Sequence, residues 1–166
     1  MKKIAKFEKV SFNQFEKDYK ESENLKEIYD GIVLPKRATK GSAGYDFYAP
    51  QDFSLKMGET IKIPTGIRAK IDDGWVLKIY PRSGLGFKFR LQLDNTVGII
   101  DSDYYFSSNE GHIMIKITNN SLEDKTVTVE KGSAFAQGIF LEYGITFDDD
   151  ADGVRDGGFG STTIKK

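Results

Sequence analysis

The 166-residue sequence has no cysteine, which excludes disulfides, thiol nucleophiles and zinc sites built on thiolates. Its single histidine, His112, argues against a protein-built zinc centre and against any serine–histidine triad that does not use that residue. A surplus of charge is missing too: 24 Lys and Arg face 25 Asp and Glu, for a net charge of −1. Nothing global therefore draws the chain to nucleic acid or to a membrane surface. No apolar run approaches membrane-spanning length, and Met1-Lys2-Lys3-Ile4 lacks the apolar core of a signal peptide. These absences lead us to expect a soluble cytoplasmic protein. Its length suits one domain that buries about two thirds of its unfolded surface.

The pattern that is present is mostly of period two. Residues Lys2 to Val10 allow one strand. Ile61 and Ile63, then Ile67, Ala69 and Ile71, alternate with polar neighbours, and Asp72-Asp73-Gly74 has the signature of a tight hairpin turn before a strand from Trp75 to Tyr80. His112 opens a further alternating run through Ile113, Ile115 and Ile117, which assigns it a structural role. Thr126 to Glu130 and Ala136 to Tyr143 complete the apolar part. Many short strands with regular turns indicate an all-β sandwich or barrel, here a jelly roll. One stretch breaks the pattern. Ser11-Phe12-Asn13-Gln14 has the form of a capping box, with Ser11 capping and Gln14 reaching back. Phe12, Phe15, Tyr19, Leu25, Ile28 and Tyr29 follow at helical spacing, which predicts one or two short helices covering a sheet edge. Beyond Tyr143 the acidic run Asp148 to Asp150 and a glycine-rich tail predict an extended, mobile arm over 148–166.

The chain is organised around Leu93 to Tyr105, where the apolar run Val97 to Ile100 ends in Asp101-Ser102-Asp103-Tyr104-Tyr105. A carboxylate at the end of a strand is a candidate general base, because the sheet holds its oxygens still. An aromatic three residues on can pack against a sugar or a base. Taken alone, the same residues fit a turn capped by Asp and Ser, with tyrosines in the core. Pro81-Arg82-Ser83-Gly84-Leu85-Gly86 reads as an irregular loop whose N–H groups can converge on an anion, or as an ordinary turn after a strand.

Company decides between these readings. Ser42-Ala43-Gly44-Tyr45-Asp46, Pro81 to Gly86, Gly98 to Tyr104, Gly132 to Gln137 and Gly157-Gly158-Phe159-Gly160-Ser161-Thr162 stand in order. Together they resemble the five motifs of the trimeric dUTP pyrophosphatases (dUTPases), from about Val33 to Thr162. The resemblance implies a jelly-roll-like β-clip domain over 1–147, with a helical insertion at about 11–30 and a phosphate-clasping arm over 148–166. It implies a homotrimer that uses Mg²⁺ to hydrolyse dUTP to dUMP and pyrophosphate. That reaction limits uracil incorporation into DNA and supplies dUMP.

By the same resemblance Asp101 activates the water that attacks the α-phosphorus in line, and Tyr104 lies beneath the deoxyribose, leaving no room for a 2′-hydroxyl. Asn95 and the Gly98 to Ile100 backbone belong to a β-hairpin that reads the edge of uracil. Ser83, the amide of Gly84 and Gln137 contact the phosphates, and Arg82 organises that end of the site. Asp46 holds a water on Mg²⁺. In the arm, Arg155 neutralises the γ-phosphate, Phe159 stacks on the base, and Gly160, Ser161 and Thr162 close on the phosphate chain. The sequence departs from the family in five places: the 11–30 insertion, about five extra residues at 106–111, Ala134 in place of an arginine, a shortened spacing from Arg155 to Phe159, and Thr163 in place of a common glycine. A dCTP deaminase shares the fold, but the Asp101–Tyr104 spacing and the Gly-Gly-Phe-Gly-Ser-Thr arm favour a dUTPase. The two insertions are the motive for considering a protein partner at 11–30 or 106–111.

Overall fold

The computed structural model describes residues 1–19, 23–153 and 155. Its elements begin with β1 (Ala5–Lys9), α1 (Phe12–Tyr19), α2 (Leu25–Asp30), β2 (Lys36–Arg37), β3 (Tyr45–Tyr48) and β4 (Phe53–Leu55). There follow β5 (Thr60–Pro64), β6 (Ile67–Ile71), β7 (Trp75–Pro81), α3 (Ser83–Phe89), β8 (Leu91–Leu93) and β9 (Gly98–Ile100). A 3-10 turn (Ser102–Phe106), β10 (Met114–Asn119), β11 (Val127–Val129) and β12 (Ala134–Glu142) complete the order. Among the described residues no helix is long and apolar enough to cross a membrane.

Every ladder is antiparallel. The largest sheet runs β2-β3-β12-β7-β9, a second runs β5-β10-β8, and β1-β6 and β4-β11 form two pairs. This is the expected all-β, jelly-roll-like architecture, and alternation in the strands produces it. In β10, Ile115, Ile117 and Asn119 point inward while Lys116 faces out. Phe47, Leu77, Ile79, Leu91, Val127 and Phe135 meet them in one core. Each such side chain contributes about 1.5–3 kcal/mol by leaving water.

Asp72-Asp73-Gly74 does turn the chain, with Gly74 at φ +82°. It is not a hairpin, however, because β6 pairs with β1 while β7 pairs with β12 and β9. A tight reversal says where the chain turns but not which strand it pairs with afterwards. The Pro81 to Gly86 segment is also corrected: from Ser83 it is the helix α3, not an irregular loop.

The N-terminal helices are present, and α1 lies against β5, an edge strand of the β5-β10-β8 sheet, with its apolar face rooted in the core. Phe15 is fully buried and stacks near Tyr19 and Tyr29, and Val10 and Ile28 join the same core. Gly66, at φ +70° between β5 and β6, meets this helix directly. A Cβ there would stand 2.2 Å from Ile32 Cδ1 and 3.3 Å from the Phe15 ring. The capping box is half right. Ser11 Oγ accepts the Gln14 N–H at 3.1 Å, but Gln14 turns away to Asp18 at 2.7 Å. The Ser11 N–H and hydroxyl both donate to the Glu110 carboxylate, at 2.7 and 2.6 Å, from 99 residues away. A charged acceptor makes the stronger bond and displaces the local amide.

Candidate active site

Strand β9 lies against β7 in the register Leu77–Ile100, Lys78–Ile99 and Ile79–Gly98. Gly98 permits that approach, since a Cβ would come within 3.1 Å of Ile79 Cβ. The ladder stops at Ile100, Asp101 continues in extended conformation (φ −81°, ψ 160°), and the 3-10 turn carries Tyr104 back beside it. Asp101 and Tyr104 thus line one cleft of about 560 Å³, together with Asn95, Gly98, Ile100, Lys62 and Arg155. A second cleft, of about 480 Å³ beside α1, is lined by Lys17, Tyr19 and Gln51 among others and contains none of the motif residues.

Asn95 sits in the turn between β8 and β9, where Thr96 takes φ +66° and its N–H donates to the Leu93 carbonyl at 2.9 Å. The strands on either side of this turn belong to different sheets, β8 to β10 and β9 to β7, so the expected hairpin is a turn bridging two sheets. Asp94 anchors it by accepting from the Thr118 hydroxyl and from Lys116 at 2.9 Å, contacts that hold its carboxyl below the usual range.

Tyr104 is 6% exposed. Its hydroxyl donates to the His112 carbonyl at 2.8 Å and accepts from Asn109 Nδ2 at 2.8 Å. Burial pushes the phenol pKa up, so the donor keeps its proton at neutral pH. Arg155 enters the cleft over this ring, its guanidinium 5.9 Å from the centroid. Its Nη2 donates to Asp101 Oδ2 at 2.5 Å and its Nε to Asp103 Oδ1 at 2.8 Å. The carboxylate assigned to water activation is therefore paired with the arm's arginine, and Asp103 shares that arginine.

The residues assigned to the phosphates gather elsewhere. Asp46 on β3 pairs with Arg82 Nε at 3.5 Å. In the ladder Gln137 on β12 faces Asp46 on one side and Tyr80 on the other. Gln137 Nε2 donates to the Pro81 carbonyl at 3.2 Å, and a Cβ at Gly44 would touch Gln137 Oε1 at 2.6 Å. Arg82 caps the start of α3 in extended conformation, and Ser83 and Gly84 are exposed there. The first N–H groups of a helix have no acceptor within it. Ala134 lies where β12 shifts register against β3. None of Asp46, Arg82, Ser83, Gly84 and Gln137 lines the Asp101–Tyr104 cleft. Phe159, Gly160, Ser161 and Thr162 lie outside the described residues.

Sequence reading missed Asn109 as the partner of Tyr104, Asp103 as the second partner of Arg155, and Asp18 as the partner of His112. The available signals were faint: a lone buried histidine and an Asn-Glu-Gly run before it. Among the described residues no group of three or more His, Asp or Glu side chains is arranged to hold a metal by itself.

The family model described as dUTPase matches residues 30–163. The deoxyuridine 5'-triphosphate nucleotidohydrolase of Lactococcus lactis is 43% identical over 135 residues, covering 80% of this chain and 89% of the relative. That of Finegoldia magna is 41% identical over 136 residues, covering 78% and 90%. Among solved structures, the dUTPase of Streptococcus mutans superposes with a TM-score of 0.64 at 33% identity, covering 84% of this chain and 97% of that one. A D95N dUTPase from phage phi11 of S. aureus, whose structure reveals the coordination of a structural Mg(II) ion, shares the fold with a TM-score of 0.64 at 19% identity. It covers 91% of this chain and 98% of its own. With the family model matching residues 30–163 and relatives above 40% identity over most of their length, the chain belongs to the dUTPase family.

Proposed function

We propose that this chain hydrolyses dUTP to dUMP and pyrophosphate by in-line attack of water on the α-phosphorus. The observation that carries the reading is the cleft in which Asp101 and Tyr104 stand side by side. Asp101 orients the water and takes up its proton. Tyr104 presents its ring beneath the deoxyribose, and Asn95 with the backbone of Gly98 to Ile100 reads uracil. Fixed backbone suits that task because it crowds out thymine's methyl.

Phosphate recognition falls to Arg82, Ser83, the Gly84 amide and Gln137. Arg155 leaves its two carboxylates for the γ-phosphate, which frees Asp101 for water. In the arm Phe159 stacks on the base, and Gly160, Ser161 and Thr162 close on the phosphates. The residues suit Mg²⁺, which keeps several waters, draws other ligands from phosphate oxygens and needs no protein cage. Asp46, which Arg82 engages at its carboxylate, accepts from a metal-bound water in this reading and does not bind the ion directly. When bound, the ion offsets phosphate charge and aligns the triphosphate.

The proposed assembly is a homotrimer in the cytoplasm. Because Arg82, Ser83, Gly84 and Gln137 do not line their own chain's Asp101 cleft, a neighbouring chain supplies them. The segments 11–30 and 106–111 bond to each other through Ser11 and Glu110, so no observation favours a protein partner there.

Mixing variants tests the shared site. Asp101→Asn and Arg82→Ala chains, each of low activity alone, are co-refolded. Activity well above the sum of the separate variants is expected, since some sites then join an intact Asp101 from one chain to an intact Arg82 from another. A mixture no more active than its components would place each site within a single chain.

A further inference from the structure

Tyr104 is held at its hydroxyl by groups that lie outside all five motifs. One is Asn109 and the other is the carbonyl of His112. The segment joining them folds back on the tyrosine itself. The Ser107 N–H donates to the Tyr104 carbonyl at 3.0 Å, the Glu110 N–H to the Ser107 carbonyl at 2.8 Å and the His112 N–H to the Asn109 carbonyl at 3.1 Å. Gly111 has φ +69°, and a Cβ there would stand 2.7 Å from both the Tyr104 oxygen and the Tyr105 Cα. Only glycine lets the loop lie so close.

His112 is itself fixed from two sides. The Gly66 N–H donates to Nε2 at 2.7 Å, and a backbone amide can only donate, so Nε2 carries no proton. The proton is then on Nδ1, which donates to the Asp18 carboxylate at 2.6 Å. The ring is fully buried, and burial pushes its pKa down despite the attraction of Asp18 and Glu110, with Lys62 acting in the same direction as burial. Asp18 projects from α1, which Phe15 roots in the core and Ser11 ties to Glu110 in the same loop. Helix α1 therefore reaches Tyr104 through two bonded joints: Asp18 to the His112 ring, and the His112 carbonyl to the phenol.

We propose that Asn109, His112 and Asp18 are positioning residues that set how strictly Tyr104 excludes a 2′-hydroxyl, and so govern selectivity for deoxyribose over ribose. The inference rests on the reading of Tyr104 as the ring beneath the sugar. A barrier that works by crowding is only as strict as it is stiff, and functional geometry is lost with shifts of about 0.5 Å. With both hydroxyl bonds made, the ring cannot tilt to admit the extra oxygen. With one removed it yields, and the ribonucleotide gains more than the deoxyribonucleotide loses.

The test is the ratio of kcat/KM for dUTP to that for UTP, with Mg²⁺, in the full chain carrying Asn109→Ala, Asp18→Ala or Tyr104→Phe. The ratio is independent of the fraction of enzyme that is folded, so a destabilised variant still reports on selectivity. In each variant the ratio is expected to fall about tenfold, mainly because UTP turnover rises. The double variant Tyr104→Phe with Asn109→Ala should fall no further than Tyr104→Phe alone, since both remove the same bond. Lys17→Ala, at the position before Asp18 on the same helix, should leave the ratio unchanged. An unchanged ratio in Asn109→Ala and Asp18→Ala, beside a lost ratio in Tyr104→Ala, would overturn the inference and leave the sugar role of Tyr104 standing. A ratio preserved in Tyr104→Ala would overturn that role as well.

Discussion

Asp101→Asn is expected to lower kcat for dUTP by at least about 10²-fold, within the 10²–10⁴ typical of general-base assistance. The amide has the shape of the carboxylate but cannot take a proton from water. The position is otherwise kept: β7 holds β9 as far as Ile100, and the Asp101 carbonyl still accepts the Tyr104 N–H at 3.2 Å. Nucleotide affinity should change little, because base, sugar and phosphate contacts come from other residues. The loss should therefore appear in kcat with KM nearly constant, as for an interaction made only in the transition state. Near-normal turnover would remove Asp101 from the chemistry. Asp103→Asn is the informative comparison: it shares Arg155 but does not line the Tyr104 cleft, and its effect should be far smaller.

Arg155→Ala should lower kcat/KM by about 10²–10³-fold, the cost of removing one preorganised group aimed at developing charge. In this structure the guanidinium makes one bond each to Asp101 and Asp103 and is only 17% exposed on its side chain. Both partners are anions, so moving to the γ-phosphate exchanges one set of charge-assisted bonds for another. In the proposed mechanism that exchange would couple arrival of the triphosphate to release of Asp101. Arg155→Lys should recover only part of the loss, because a point charge cannot reproduce the planar fork. An Arg155→Ala enzyme with unchanged kcat/KM would mean that the arginine serves only its two carboxylates.

How much of this was legible in the chain depends on the range over which each feature is decided. Period-two alternation from Ile61 to Ile71 and from Ile113 to Ile117 is a local property, and β5, β6 and most of β10's inward face fall there, with Ile63, Ile67, Ala69, Ile71, Ile115 and Ile117 buried. The ending of β9 at Asp101 was also readable, because an apolar run stopping at carboxylates has few other local solutions. Pairing was not. The Asp72–Gly74 turn looks like a hairpin in sequence, yet β6 pairs with the distant β1. Capping failed in the same way: Gln14 was the acceptable local partner for Ser11, and Glu110 was the better one in space. Glu110 takes φ +59° to deliver its carboxylate, a conformation that a glutamate does not advertise. The Ser83–Phe89 helix was missed because its two glycines argue against a helix, and propensity is a weak guide over seven residues. His112 is buried just before β10, as the alternating run suggests, but its link to Tyr104 depends on Asp18 and Gly66, whose proximity only the fold creates.

The most direct measurement is pyrophosphate release by the purified protein with Mg²⁺ from dUTP, dTTP, dCTP and UTP, run side by side. The account predicts rapid release from dUTP and far slower release from the other three. Thymine's methyl is crowded at the Gly98 to Ile100 backbone, cytosine's edge mismatches its donors and acceptors, and the 2′-hydroxyl of UTP meets Tyr104. Comparable rates on UTP, or ammonia released from dCTP in place of pyrophosphate from dUTP, would contradict it.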